Sequence, residues 1–336
     1  MFNKIYDGLK KFIRENWLLL ILSIFLLVCV FGRVPYEVNM PGGTIDLENR
    51  VTVNGEEVMI QGSFNMAYVT VAQGSIPNVL LGLILPDWDV EKTSESTYEN
   101  ETIEDANKRS KLYLEQSKNY ATVVAMDAAG IDYEIANKVN YVVYIAKEAH
   151  TDFKIGDNIT MCDGKEVQDI TQVSNYVQEK NVGDRIAFKV LRDNKEVDVY
   201  ADVYQEDDKK FVGISAITTF DIKSDVDVDI TSKSSESGPS GGLMMTLMVY
   251  NALTNQDLTH GKKIVGTGTI NLDGSVGEIG GVKYKIMGAV REEADVFLVP
   301  AGNYDEAIEV KNKKKYDIEI VKVETLSDAI SYLEGL

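Results

Sequence analysis

A serine and a lysine in glycine-rich surroundings are the residues of this chain that could carry out chemistry. Ser240 lies in the sequence GPSGG at residues 238–242, and Lys283 closes the sequence GGVK at residues 280–283. Serine is a good nucleophile only when a neighbouring base removes its proton. Lysine can act as that base only when neutral, which requires that burial or nearby positive charge lower its pKa. The pair therefore predicts acyl transfer by a Ser/Lys dyad.

Each of these two residues stands at the start of an apolar segment that predicts a helix. Residues 243–253 are almost entirely apolar, and apolar residues recur at helical spacing after Lys283. Glycine allows the backbone to approach a ligand closely. Because the N–H groups at a helix start lack intrahelical partners, those of Gly238 and Gly241 are candidates for holding an oxyanion.

Other residues compete for the same roles. Lys285 is the alternative base, but it is two residues from Lys283 on the predicted helix and is expected to face elsewhere. Lys283 falls in the first turn, where the helix dipole disfavours a cation and so favours loss of its proton. The serines within residues 234–237 are alternative nucleophiles that lack the flanking glycines of Ser240. Each motif alone is also compatible with an ordinary turn and a solvated lysine.

Residues 211–303 resemble the proteolytic domain of the Lon peptidases. The matching pieces are FVGI at 211–214, GPSGG at 238–242, GTG at 266–268, GGVK at 280–283 and DVFLVP at 295–300. The resemblance implies that Ser240 is the nucleophile and Lys283 the general base. It also implies an auxiliary hydroxyl at Thr267, although an ordinary strand threonine is the alternative there.

The whole chain is similar to the membrane-anchored PDZ/Lon-like serine proteases of low-GC Gram-positive bacteria. This resemblance implies a serine endopeptidase without cofactor or metal. No P-loop sequence is present, so cleavage is expected to be independent of ATP. The family often has alanine at the position of Gly241 and an acidic residue at the position of Ser237. These departures affect the hydrogen bonds expected around the serine. Lon-type domains often form homo-oligomeric rings, but the sequence shows no interface for one.

An apolar segment near the N-terminus predicts one transmembrane helix at residues 17–33. Residues 17–32 would extend about 24 Å as a helix, slightly less than the ~30 Å hydrocarbon core. Lysines and arginines precede the segment and an acidic body follows, which predicts a cytoplasmic N-terminus at residues 1–16 and an extracellular catalytic domain. The alternative is a cleaved signal peptide, with only a weak cleavage sequence at residues 30–32.

Residues 139–204 resemble a PDZ domain of the kind associated with bacterial proteases. The specific part is IGD at residues 155–157 followed by Asp163-Gly164, which are turn sequences flanking a short strand. A peptide could pair along the preceding strand, whose candidate residues are Tyr141, Val142, Val143 and Tyr144. Because residues 138–141 lack the usual loop glycine, the alternative is a PDZ-shaped spacer with a closed groove.

The predicted fold is an α/β (α+β) Lon-type proteolytic domain with an inserted PDZ-like α+β module and one N-terminal transmembrane helix. Strand-like segments in residues 34–75 and a helix at residues 110–129 are expected to open the protease domain, as residues 34–130. That domain is expected to resume after the module and to occupy residues 211–336. A simple tandem arrangement is the alternative.

Composition excludes several functional classes. The net charge of −19 disfavours binding to nucleic acid. Cys29 and Cys162 imply no disulfide framework, and no Cys/His cluster predicts a metal site.

The expected partners are peptides or small membrane proteins with an extended segment, together with the membrane itself. The competing hypothesis is a non-catalytic membrane-anchored PDZ scaffold that binds protein C-termini. A third hypothesis, a phosphate-binding enzyme using residues 277–283, lacks the required strand–loop–helix spacing.

Overall fold

The structure is a computed structural model that describes residues 2–99 and 101–336. Met1, in the predicted cytoplasmic N-terminus, and Asn100, in the predicted first protease segment, lie outside the described residues, as do the side chains of residues 2–4. The chain divides into two compact units. The N-terminal unit contains the residues up to Pro41 together with Val69–Ser96, and the main unit contains Gly42–Tyr68 and Thr97–Leu336.

The helices and strands have the following bounds. The helices are α1 (Phe2–Phe31), α2 (Ile76–Ile84), α3 (Thr93–Ser96), α4 (Ile103–Ala129), α5 (Ile170–Gln178), α6 (Gly242–Thr254), α7 (Val282–Arg291), α8 (Tyr304–Lys314) and α9 (Leu326–Glu334). The strands are β1 (Arg33–Asp46), β2 (Val51–Val53), β3 (Glu56–Glu57), β4 (Ser63–Ser75), β5 (Asp89–Lys92), β6 (Glu134–Ile145), β7 (Asn158–Cys162), β8 (Lys165–Glu166), β9 (Arg185–Arg192), β10 (Lys195–Asp202), β11 (Tyr204–Glu206), β12 (Lys209–Phe211), β13 (Ile214–Lys223), β14 (Val228–Ile230), β15 (Lys263–Gly266), β16 (Thr269–Ile270), β17 (Val276–Gly277), β18 (Val296–Pro300) and β19 (Glu319–Val323).

The N-terminal unit contains the apolar helix that the sequence predicts. Within α1, Ile5–Phe31 is long and apolar enough to cross a membrane. Asn16 has non-helical φ and ψ, so the helix is interrupted just before the predicted start of the span at residue 17. After α1, β1 pairs antiparallel with β5, with Tyr36 opposite Lys92.

The main unit contains a sheet built from both ends of the chain. Its strand order is β19-β18-β15-β4-β1, and β4, β15, β18 and β19 run parallel. The central strand β15 places Ile264 beside Phe64 on one side and Val296 on the other. Parallel strands buried on both faces require continuous apolar runs, and every residue of β18 is buried.

The core of this sheet combines residues from before and after the PDZ-like module. Leu47 and Phe64 belong to the same buried cluster as Leu114 of α4 and Leu243 and Met248 of α6. The two helices pack against each other. The module between residues 134 and 203 has its own buried cluster around Phe188, so segments before and after it in the chain meet in a separate core.

The module's sheet includes a strand from the segment that follows residue 203. Its order is β10-β9-β7-β6-β13. β13 pairs with β6 from Ile214, opposite Ile145, to Lys223, opposite Glu134. Residues 211–214, which resemble a strand of the Lon domain, form the end of β12 and the start of β13.

Local signals identified turns and caps well. Asn54-Gly55 forms the turn of the β2–β3 hairpin, where Val53 pairs with Glu56. α4 ends at Gly130, which adopts the left-handed conformation expected of a helix C-cap. The helix begins at Ile103, earlier than the predicted residue 110, because Thr102 caps it by accepting a hydrogen bond from the Asp105 N–H.

A buried ion pair is expected to hold the PDZ-like module together. Asp157 is fully buried and is bound by the Arg192 guanidinium through contacts of 2.7 Å and 2.6 Å. Removing one partner of a buried pair leaves an uncompensated charge and costs about 3–5 kcal/mol. Asp157→Ala should therefore lower the free energy of unfolding of the full chain by about this amount in urea denaturation.

The control is Asp202→Ala, which removes an exposed pair with Arg185 on the same module. Exposed pairs contribute about 0–1 kcal/mol. Equal losses for the two variants would contradict the prediction.

Candidate active site

Two hydrogen bonds to α4 hold the turn that carries Ser240. Gly238 has φ of 87°, a conformation that glycine adopts without strain, and its N–H donates to the Ser110 carbonyl at 2.8 Å. The Ser117 hydroxyl donates to the Pro239 carbonyl at 3.1 Å. Two points on one helix therefore fix the backbone immediately before Ser240.

Close packing requires glycine at the start of α6. A Cβ on Gly242 would lie 2.9 Å from Ser117 Oγ and 2.9 Å from the backbone nitrogen of Ile270. Any side chain at Gly242 would push α6 away from α4 and from β16. Glycine at this second position after the serine therefore allows α4 and β16 to pack closely against the start of α6.

Thr267 connects the nucleophile turn to the central strand. It follows the end of β15, is fully buried, and its N–H donates to the Leu298 carbonyl at 3.0 Å. Its hydroxyl donates to the carbonyl oxygen of Ser240 at 3.0 Å, and the Gly268 N–H donates to the same oxygen at 2.8 Å. The carbonyl of the predicted nucleophile is thus held by two donors.

The buried lysine beside Thr267 is Lys285. Its side chain is 3% exposed, and its Nζ donates to Thr267 Oγ1 at 3.0 Å. Burial lowers the pKa of Lys285 from the usual 10.5 to about 8, because the charged form loses its hydration. The single proton of the Thr267 hydroxyl is donated to the Ser240 carbonyl oxygen. The hydroxyl oxygen therefore uses a lone pair to accept the hydrogen bond from the Lys285 amine.

The expectation that Lys285 faces away from this site is wrong. On α7, Lys285 is three residues after Val282 and four before Ala289, and both of these are fully buried in the core beside β15 and β18. Residues at this spacing share one face of a helix. Lys283 is half-buried, and its Nζ lies 5.1 Å from the centroid of the Tyr284 ring. The Lys285 amine is thus buried and bound to Thr267, and which of the two lysines acts as the base stays a prediction.

The two predicted oxyanion donors have different surroundings. The N–H of Gly238 is already bound to the Ser110 carbonyl, so it cannot serve as predicted unless that bond breaks. Within residues 2–99 and 101–336, no backbone acceptor binds the N–H of Ser240 or of Gly241. The two glycines thus differ in that, among the described residues, the Gly241 N–H has no backbone acceptor.

β6, the predicted peptide-binding strand of the PDZ-like module, has a strand partner on each side. Tyr141, Val142 and Tyr144 pair with β13 on one side. On the other side, Tyr141 pairs with Asn158, and the Val142 N–H donates to the Asp157 carbonyl at 2.9 Å. Peptide binding along Tyr141, Val142, Val143 and Tyr144, and its alternative of a closed groove, both stay predictions.

Sequence reasoning missed the contribution of α4. Ser117 is 3% exposed and sits between Leu114 and Ala121, which are buried at helical spacing on the same face. That spacing would have marked Ser117 as an inward-facing hydroxyl. In the part of the chain that the structure describes, no group of His, Cys, Asp or Glu side chains is arranged to hold a metal ion.

Comparison with known protein families agrees with this architecture. The sequence model of the Lon protease (S16) C-terminal proteolytic domain matches residues 201–333. The model of the PDZ domain matches residues 128–203. Together the two models cover residues 128–333, and neither matches residues 34–127 of the predicted first protease segment.

Individual relatives match part of the chain. The Lon protease of Campylobacter concisus is 31% identical over 153 residues, which is 44% of this chain and 18% of that protein. Lon protease 2 of Herpetosiphon aurantiacus is 35% identical over 95 residues, which is 28% of this chain and 11% of that protein. The chain therefore spans less than a fifth of the length of these relatives.

Two solved structures are each similar to about a quarter of the chain or less. The PDZ domain of an SdrC-like protein from Listeria monocytogenes is 19% identical, with a TM-score of 0.23, and the match covers 25% of this chain and 93% of that one. A domain from Geobacillus thermodenitrificans is 23% identical, with a TM-score of 0.21, over 22% of this chain and 92% of that one. On the two family models alone, the chain contains a PDZ domain and a Lon protease C-terminal proteolytic domain.

Proposed function

We propose that this protein is an ATP-independent serine endopeptidase with Ser240 as nucleophile and Lys285 as general base. The observation that carries the proposal is the hydrogen-bonded chain from Lys285 Nζ through Thr267 Oγ1 to the Ser240 carbonyl, in a site that lowers the pKa of the lysine to about 8. A lysine with that pKa is neutral often enough near neutral pH to accept a proton.

The reaction begins when Ser240 Oγ attacks the carbonyl carbon of the scissile peptide bond and its proton passes to Lys285 Nζ. The new C–O bond gives a tetrahedral oxyanion, for which the N–H groups of Ser240 and Gly241 are the proposed donors. The C–N bond then breaks as Lys285 returns the proton to the leaving amine. Water hydrolyses the acyl-enzyme by the same steps, with Lys285 again accepting the proton.

Thr267 has a positioning role in this proposal. Its bond to Lys285 holds the amine, and its bond to the Ser240 carbonyl ties that amine to the nucleophile turn. One N–H of the neutral amine donates to the threonine lone pair. The lone pair of the amine is therefore left to accept the serine proton.

The proposed setting is the outer face of a cell membrane. The apolar helix at Ile5–Phe31 supports a single-pass anchor. The lysines and arginines that precede its most apolar part support a cytoplasmic N-terminus and an extracellular catalytic domain. This arrangement is that of the membrane-anchored PDZ/Lon-like proteases of low-GC Gram-positive bacteria. The absence of a P-loop from the sequence supports cleavage without ATP.

Substrates of such an enzyme must already be extended, because no nucleotide hydrolysis is available to unfold them. We propose short secreted peptides or the juxtamembrane tails of small membrane proteins. The competing scaffold function requires an open PDZ groove, and the pairing of β6 with β13 argues against it. Assembly into a homo-oligomeric ring is also a proposal, carried by the family resemblance.

A matched pair of lysine variants tests the assignment of the base. Lys285→Met should lower kcat on fluorogenic peptides by on the order of 10³-fold or more, as Ser240→Ala should. Lys283→Met, two residues away and half-buried, should leave kcat within a few-fold of the native value. Loss of activity in Lys283→Met with retention in Lys285→Met would reverse the assignment.

The pH dependence of the reaction follows from the lowered pKa of Lys285. Because the neutral amine is the active form, kcat/KM should rise about tenfold per pH unit below pH 8 and level off above about pH 8. The same pKa affects stability, since the unfolded state binds more protons than the folded state between about 8 and 10.5. The Tm of the native protein should therefore rise relative to that of Lys285→Met across this window. A flat activity profile from pH 6 to 8 would contradict the assignment.

The hydrogen bond from α4 to the nucleophile turn should affect turnover. Ser117→Ala removes the donor to the Pro239 carbonyl and is expected to lower kcat by roughly tenfold, the equivalent of one hydrogen bond. Thr122→Ala is the control, because this buried hydroxyl on the same helix bonds only within α4, to the Lys118 carbonyl. Equal effects on kcat in the two variants would indicate a loss of helix stability instead.

A further inference from the structure

The short helix α2 in the N-terminal unit exposes a continuous apolar stripe. Its sequence, IPNVLLGLI, contains no charged residue. Ile76, Leu80, Leu83 and Ile84 recur at helical spacing and are 40%, 54%, 71% and 76% exposed. A helix of a soluble protein normally turns its polar face outward. Here the outward face is made of leucine and isoleucine.

The opposite face of α2 fixes which way the stripe points. Gly82 is buried, and a Cβ there would lie 2.6 Å from Val90 Cγ2 and 3.2 Å from Val38 Cγ1. The helix therefore packs closely on β1 and β5 through its small residue. It begins at Ser75, whose hydroxyl accepts a hydrogen bond from the Asn78 N–H. Its orientation is thus set by packing and by a capped start.

The position of α2 along the chain relates it to the apolar helix α1. α1 ends at Phe31, and β1 starts two residues later. Gly74, just before α2, packs against this first part of β1, because a Cβ there would lie 2.4 Å from the Tyr36 carbonyl oxygen and 3.0 Å from Val34 Cγ2. α1 and α2 also contact each other. The start of α2 therefore packs against the residues that directly follow α1 in the chain.

We propose that α2 lies in the interface of the membrane that α1 spans, with its stripe inserted among the lipid acyl chains near the headgroups. This inference rests on the proposed single-pass anchor. Apolar surface exposed to water costs about 25 cal/mol per Å², and an interfacial helix removes that cost by burying one face at the headgroup–acyl boundary. Continuity with α1 favours lipid over a second protein as the occupant, since lipid already surrounds the helix beside it.

Two membrane contacts would restrict the N-terminal unit more than one. A single helix can rotate about its axis and tilt, whereas α1 and α2 together define a plane. The N-terminal unit would then present β5 and the chain after it to the membrane surface in one orientation.

Site-directed fluorescence in the full chain tests this proposal. An environment-sensitive NBD label is attached at Leu83→Cys, with Cys29 replaced by serine, in phosphatidylcholine vesicles. Cys162 reacts little because it is 6% exposed and burial raises its pKa to about 11. The comparison labels are Phe25→Cys within α1 and Met59→Cys in the main unit, where Met59 is 91% exposed.

The label at position 83 should be quenched by lipids with a nitroxide near the headgroup, and iodide in the buffer should quench it several-fold less than the label at position 59. Quenching by iodide equal to that at position 59 would overturn the proposal. Protection from both quenchers would also overturn it, since a protein partner or a second copy would then cover α2. A label at position 25 that lipids with a nitroxide near the end of the acyl chain do not quench would overturn the anchor itself, which separates the two failures.

Discussion

A lysine amine buried beside a threonine is the constraint around which the catalytic part of this molecule is arranged. An ammonium ion is costly to remove from water, so the site is stable only when the amine is held by a hydrogen bond and can lose its proton. Thr267 provides that bond and is itself held by the backbone of β18 and by its bond to Ser240. The central strand, α7 and the nucleophile turn therefore meet at one hydroxyl.

α4 extends this arrangement to the PDZ domain. The helix contacts the nucleophile turn through Ser110 and Ser117. It also holds β13, because the Gln116 amide donates to the Thr218 carbonyl at 3.3 Å and the Asn119 side chain accepts from the Phe220 N–H at 3.0 Å. Since β13 is a strand of the PDZ sheet, one helix touches both the nucleophile turn and the inserted domain.

Residue patterns predicted the parts of the molecule that local chemistry determines. The nucleophile turn, the Asn54-Gly55 hairpin, the cap at Gly130 and the apolar helix near the N-terminus all have short sequence signals with a direct physical cause. The PDZ domain and the Lon proteolytic domain were also predicted in the order in which they occur.

The errors arose where contacts across the chain decide the outcome. Two lysines in the same turn of α7 differ in burial only because Lys285 shares a face with Val282 and Ala289, and the motif alone does not distinguish them. The partner of β6 is likewise a strand that lies some seventy residues later in the chain. The family motif therefore points to one helical turn, and the packed face of that helix is what supports Lys285 as the proposed base.

The position of β13 has a consequence for how the domains can be separated. The PDZ match ends at residue 203, and β13 begins at Ile214. A fragment cut at the apparent domain boundary would lose the neighbour of β6 and expose a long row of unsatisfied N–H and C=O groups, which invites pairing with other chains. The excised module would thus tend to self-associate or capture foreign strands, and tail binding measured on it would report an edge that the intact chain keeps covered.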